Sequence, residues 1–215
     1  MLGAKKRDGG GAWVDLANNR PGAGVRAKAV EMRQSEPVWT LLARMAGVQT
    51  EESAWRVGAR GEELVGNELA KLGPDWRVLH SIPLGDHGPD VDHLVIGPGG
   101  VFTLNAKNHK YATVSVDGEV VTVNGCPKPY VQKSRQEARR VGQILSGALG
   151  VHVPTRGVVV IVNAGNFTID EQPGDVLVTN RARLRRTLRC HPSVHDRASV
   201  EAFFEVARRS TTWCA

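Results

Sequence analysis

The chain has 215 residues, with 28 Lys and Arg against 22 Asp and Glu, a formal net charge of +6 and a pI near 9.5. That length suits one domain of about 150 residues plus an extension, and the positive balance predicts attraction to polyanions. No run reaches the roughly 18 apolar residues of a membrane span and the front lacks an apolar core of signal-peptide length, so a cytoplasmic protein with no membrane partner is expected.

Residues 1 to about 27 combine Gly9-Gly10-Gly11, Lys5, Lys6, Arg7, Asn18-Asn19 and Pro21 with few hydrophobic side chains, a composition that predicts a largely disordered start. Residues 1–50 are read as an extension ahead of a domain over residues 51–215. Within it, residues 37–48 carry Val38, Trp39, Leu41, Leu42 and Met45, which predicts a short helix packed on the domain or a contact with another protein. From about Glu51 to Leu72 the pattern is helical: Trp55, Gly58, Glu62, Val65, Leu69 and Leu72 fall within one stripe, an arc of roughly 100°. Glu62 therefore faces inward, whereas Glu63 shares a solvated stripe with Arg56, Asn67 and Ala70. An ionised carboxylate is rarely buried without a partner, so Glu62 between the small Gly58 and Gly61 marks a metal, a cation or a substrate-facing pocket. A salt-bridged or helix-end glutamate is the structural alternative.

Val91–Ile96 and Val101–Ala106, joined by Gly97-Pro98-Gly99-Gly100, read as a β-hairpin. An even-numbered loop sets Asp92 across from Asn105 and Asp90 across from Lys107, on one face with Leu94, Ile96, Val101 and Thr103. A three-residue loop with a bulge would slip that register by one, and Pro98, which cannot take positive φ, makes this a real competitor. Asp117-Gly118 between Val114–Val116 and Val120–Val123 signals a second hairpin. In the following helix Gln132, Gln136, Arg139 and Gln143 share a polar face opposite Val141, Leu145 and Ala148. Two basic groups, one of Lys128, Lys133, Arg135, Arg139 and Arg140 and one of Arg181, Arg183, Arg185, Arg186 and Arg189, offer phosphate contacts or simply solvated surface.

Gly157–Val162, Thr168-Ile169 and Val176–Val178 read as strands, and residues 181–188 and 196–209 as helices, the second capped by Asp196 or Ser199. This order predicts an α/β sandwich with a mixed central sheet flanked by helices. Cys126, Cys190 and Cys214 form no CxxC pair, as expected in a reducing compartment. Cys190-His191 with His195 lacks the further ligands a zinc site needs. His93 is read as a buried structural histidine, and His109 as a loop residue or a phosphate contact.

Three stretches, GARGEELVGNELAKL at 58–72, DVDHLVIGPGGVFTLNAKNHK at 90–110 and PYVQKSRQEARRVGQIL at 129–145, resemble the nuclease-related domain, NERD, of the PD-(D/E)xK or restriction-endonuclease-like superfamily. The resemblance implies that fold, with Glu62 as the helical acid, Asp92 as the strand acid, Asn105 and Lys107 as the ends of the (D/E)xK signature, and Gln132, or Gln136 in its place, as the glutamine opening the next helix. Asn105 stands where the family usually has Glu.

The chemistry of such a set follows from its groups. Hydrolysing a phosphodiester requires an activated water and stabilisation of extra charge on phosphorus. Glu62, Asp92 and the amide oxygen of Asn105 suit Mg²⁺ or Mn²⁺, which keeps several waters and takes few carboxylates. Lys107 would orient or deprotonate the water and offset phosphate charge. A neutral Asn105 lowers the expected metal affinity, and Asp90 is a reserve acid. The reading is a metal-dependent nuclease acting on DNA. The alternative is a binding module of the same fold, holding nucleic acid or a protein without cutting. Oligomeric state is not legible.

Overall fold

The computed structural model describes residues 5–8, 11–23, 51–85 and 90–214, so the segment expected at 37–48 to be a short helix or a protein contact lies outside the described residues. Strands β1 (Lys5–Asp8) and β2 (Gly11–Val14) pair antiparallel, and a 3-10 turn follows at Leu16–Asn18. Next come helix α1 (Glu51–Leu69) and strands β3 (Arg77–Ile82), β4 (Val91–Gly97) and β5 (Gly100–Asn108). The short strands β6 (Thr113–Asp117), β7 (Val120–Val123) and β8 (Cys126–Lys128) lead into helix α2 (Tyr130–Leu149). Strands β9 (Thr155–Val162), β10 (Asn166–Glu171) and β11 (Val176–Asn180) are followed by helices α3 (Leu184–Arg189) and α4 (Arg197–Ala207) and a closing 3-10 turn at Ser210–Trp213.

The central sheet has the order β11-β9-β5-β4-β3, with β5, β9 and β11 parallel and β3, β4 and β5 antiparallel. A second mixed sheet has the order β10-β6-β7-β8. With helices flanking them, these sheets form the expected mixed α/β architecture of a restriction-endonuclease-like domain.

Alternation along the strands decides which layer covers which face. Val95, Phe102 and Leu104 point towards Val65 and Leu69 of α1 and Leu184 and Leu188 of α3. Leu94, Ile96 and Val101 point the other way, onto Val141 and Leu145 of α2 and Val200 and Phe203 of α4. Val159 and Ile161 share that second face and carry Val114, Val116 and Val121 of the small sheet. Val158–Val162 is buried throughout, as a parallel strand covered on both faces must be. Two glycines bring the helices close to the sheet. A Cβ on Gly61 would stand 3.0 Å from Cβ of Asn108 at the end of β5, and one on Gly157 would stand 2.4 Å from Oγ of Ser134 in α2. Only a missing side chain allows either approach.

Three features differ from expectation. Strand β3 forms the sheet edge although Arg77-Val78-Leu79-His80-Ser81-Ile82 lacks clean alternation, because Arg77 and His80 are satisfied by specific partners: Arg77 pairs with Glu201 of α4, and His80 with His93. Residues 11–23, expected within a largely disordered start, are packed on the domain. Trp13 and Leu16 are buried, and Asp15 accepts from Nε and Nη2 of Arg208 at 2.9 and 2.5 Å. Two large apolar side chains and one two-pronged ion pair tie down a segment whose average composition is polar. Ala148, expected on the apolar side of α2, is exposed.

Candidate active site

The hairpin takes the even register. Gly97 pairs with Gly100, Ile96 with Val101 and His93 with Leu104, which sets Asp92 level with Asn105. Pro98 is accommodated in the two-residue loop because the positive φ, 133°, falls on Gly100, and the Pro98 carbonyl accepts the Val194 and His195 amides. Oδ2 of Asp92 accepts the Ala106 N–H at 2.8 Å, locking the acid against the neighbouring strand. Two residues further on, Nζ of Lys107 donates to Oδ1 of Asn105 at 2.5 Å.

Helix α1 delivers the other acid. Its first half crosses the end of β5, held by the Asn108 side-chain amide donating to the Val57 carbonyl at 2.8 Å and by the close approach at Gly61. Glu62 follows directly and is 5% exposed. It meets Asp90, Asp92, Asn105 and Lys107 in a cavity of about 790 Å³, walled on the α2 side by Glu137.

Burial dominates the electrostatics here. It pushes the Glu62 carboxyl up to about 8, the nearby charge of Asp92 pushing further, against the Gly22 amide hydrogen bond and Lys107. Burial also raises Asp92, opposed by Lys107 and the Ala106 amide. Glu137 is raised to about 8 by burial and then by Asp92, with Lys107 and hydrogen bonding from Asn105 and Thr103 acting against it. Four carboxyl groups, Glu62, Asp90, Asp92 and Glu137, thus share the cavity with Lys107, while Lys133 and Arg140 also line it, and burial still outweighs these cations at Glu62, Asp92 and Glu137.

Of the predicted residues, Glu62, Asp92, Asn105 and Lys107 come together, with Asp90 beside them. Gln132 does not join them. It is exposed, about 100° round α2 from Lys133, while Gln136 borders the cavity; the wall-facing positions of α2 are Tyr130, Lys133, Glu137 and Arg140. Glu137 was missed because Arg135-Gln136-Glu137 reads as solvated helix surface, although its spacing from Ser134 and Val141, both buried, was the available signal. Gly22 was missed with its segment.

The remaining histidines make contacts within the fold. His93 is fully buried on the opposite sheet face, its Nδ1 2.8 Å from Nδ1 of His80. His109 stacks on Tyr130 and shares a hydrogen bond with its hydroxyl at 2.9 Å. His191 packs on Phe102 and His195 on Phe203. Among the basic groups Lys133 and Arg140 border the cavity, whereas Arg135 is held by Asp175 and Glu119, Arg185 reaches Glu68, and Arg189 donates to the Lys71 and Leu72 carbonyls.

Among the described residues no three His, Cys, Asp or Glu side chains form a ready-made cage for an ion. The donor set nevertheless fits a hard divalent cation of the Mg²⁺ kind, whose ligands are oxygens and whose shell keeps several waters. Its acids, Glu62, Asp90, Asp92 and Glu137, line one cavity, and burial raises the carboxyl groups of Glu62, Asp92 and Glu137.

Residues 57–162 match the family model described as the nuclease-related domain, NERD. No curated protein and no solved structure matches the chain.

Proposed function

Because residues 57–162 are a nuclease-related domain, we propose that the protein hydrolyses phosphodiester bonds in DNA with Mg²⁺ or Mn²⁺. The observation that carries this reading is the convergence of Glu62, Asp92, Asn105 and Lys107, from one helix and two strands, on a single cavity. Glu62, Asp92 and the amide oxygen of Asn105 would hold the cation. When bound, it lowers the pKa of a coordinated water and offsets phosphate charge.

The chain's own groups supply the rest. Lys107 is held on the cavity side of β5 by Asn105, where its ammonium orients the attacking water and stabilises the extra charge that develops on the phosphate oxygens. The water oxygen forms the new bond to phosphorus, the bond to the ester oxygen breaks, and the proton lost by the water is balanced by one gained by the leaving alkoxide. Lys133 and Arg140 at the rim draw in the phosphate backbone. The Asp92 hydrogen bond to the Ala106 amide fixes one acid before the cation arrives, so little ordering is left for the moment of binding.

Nicking of supercoiled plasmid and cutting of single-stranded DNA, each with Mg²⁺ or Mn²⁺ and with chelator, test the proposal. The wild-type chain is expected to cleave only with the divalent ion, and Lys107→Ala to lower the rate at least about a hundredfold. The binding-module reading draws on Asn105, a neutral amide occupying the Lys107 ammonium. Salt-sensitive DNA binding without cleavage in either ion would establish it and remove the nuclease reading.

A further inference from the structure

Glu137 is a half-buried acid of the cavity wall that the proposed chemistry leaves unused. It sits on α2 among Ser134, Ala138 and Val141, all buried. Its Oε2 accepts from Nδ2 of Asn105 at 2.8 Å. Its other oxygen is buried, with the buried Thr103 hydroxyl as its neighbour, and no ion pair joins Glu137 among the described residues. A glutamine here would satisfy the Asn105 amide equally well without the cost of burying a carboxylate. The choice of an ionisable acid, rather than the hydrogen bond, therefore needs an explanation.

The orientation of Asn105 supplies it. The amide lies between two groups of opposite kind: an ammonium, which can only donate, and a carboxylate, which when ionised can only accept. Its oxygen must face Lys107 and its NH₂ must face Glu137. A carboxylate accepting from an amide NH₂ draws density towards the carbonyl oxygen and makes it a stronger donor to any cation, as partners behind metal ligands do generally. A glutamate at position 105 would instead have set two carboxylates against each other.

Resting on the metal-dependent reading above, we infer that Glu137 is a positioning residue, and that the Asn105–Glu137 pair replaces a strand carboxylate: the oxygen is presented from β5 and the charge is supplied from α2. The acid is divided between two elements rather than lost. The pair is matched as a unit, so altering one member makes the other wrong.

Binding of Mn²⁺ to the full-length chain, followed by calorimetry and by the electron paramagnetic resonance signal of free Mn²⁺, tests this without reference to turnover; circular dichroism melts check folding. Glu137→Gln keeps an acceptor for the amide but removes the charge, and is expected to weaken Mn²⁺ binding about tenfold. Asn105→Glu is expected to gain little with Glu137 present. The double variant Asn105→Glu with Glu137→Gln returns the acid to the strand and is expected to bind within about threefold of wild type, a strong departure from additivity. If Glu137→Gln binds Mn²⁺ as wild type does while Asp92→Asn abolishes binding, the inference is wrong and the proposed function stands. If the wild-type chain binds no Mn²⁺, both fall. Should Glu137→Gln fail to fold, the double variant still decides: no Mn²⁺ binding by a folded double variant overturns the pairing.

Discussion

Asp92 and His93 are neighbours on β4, yet they face opposite sides of the sheet and meet burial in opposite ways. His93 sits in a closed arrangement with His80, the rings edge to face with centroids 5.0 Å apart. Burial, and the other ring's charge, hold its pKa well below the usual imidazole range, so the pair stays neutral and one proton is shared between the two Nδ1 atoms. Asp92 opens into a cavity with Glu62 and Glu137, where giving up charge is opposed by Lys107 and by amide hydrogen bonds. The histidines satisfy only their facing nitrogens, and Nε2 of His93 stays buried without a hydrogen-bond partner among the described residues. The acids face a cavity that, on the proposed function, a cation would enter. What separates the two faces here is that the acids open onto a cavity and the histidines do not.

Substituting these neighbours one at a time tests that difference. The largest effect is expected from Asp92→Asn, which should lower metal-dependent cleavage at least about a hundredfold while leaving the metal-free protein no less stable, since it removes a poorly compensated charge; cleavage assays and denaturant unfolding check both halves. A loss of fold in Asp92→Asn would mean that the acid is structural after all. His93→Leu should do the reverse, costing about 1–3 kcal/mol of stability by leaving Nδ1 of His80 without its partner, with cleavage per folded molecule unchanged. If folded His93→Leu protein were inactive, the two faces would not be independent.

The smallest effect is a dependence of stability on pH. His80, lowered to about 4, and His93 bind protons in the unfolded chain but not in the folded one below the ordinary imidazole pKa, so their contribution fades as pH falls through that range. Glu62 and Glu137, raised to about 8, bind protons in the folded chain that the unfolded chain has released, so their contribution is full at low pH and is lost as pH rises through 8. Above roughly pH 6.5, the ordinary imidazole pKa, only the acids change. Thermal melts without metal should therefore decline from there to pH 8, and Mn²⁺, which favours the ionised acids, should reverse the decline. A flat profile without metal would show that the acids are not strained by their shared space.

Much of the site was legible because it is written in short-range periodicity. The period of two put Asn105 and Lys107 on one face of β5, an even hairpin loop adds Asp92 to that face, as the register of β4 with β5 has it, and the 3.6 period put Glu62 on the buried stripe of α1. What escaped notice depends on partners far away in the chain. Glu137 lies in a polar run and is turned inward only because Gly157 lets α2 settle onto β9. Strand β3 holds Arg77 and His80, whose fitness for a sheet edge rests on Glu201 and His93. Gly22 gives its amide to Glu62 from a segment anchored by Arg208. No local window contains such information.

The clasp between Asp15 and Arg208 has a practical consequence. The core cluster containing Leu94 and Val141 also contains Leu16, Val200, Phe203 and Trp213, side chains from well before and well after the stretch that matches the family model. A fragment trimmed to the matched limits would expose one side of its hydrophobic interior and lose the amide that steadies the helical acid. The recognisable part of this protein is smaller than its autonomous folding unit, and limited proteolysis should release a stable piece that retains both distant flanks.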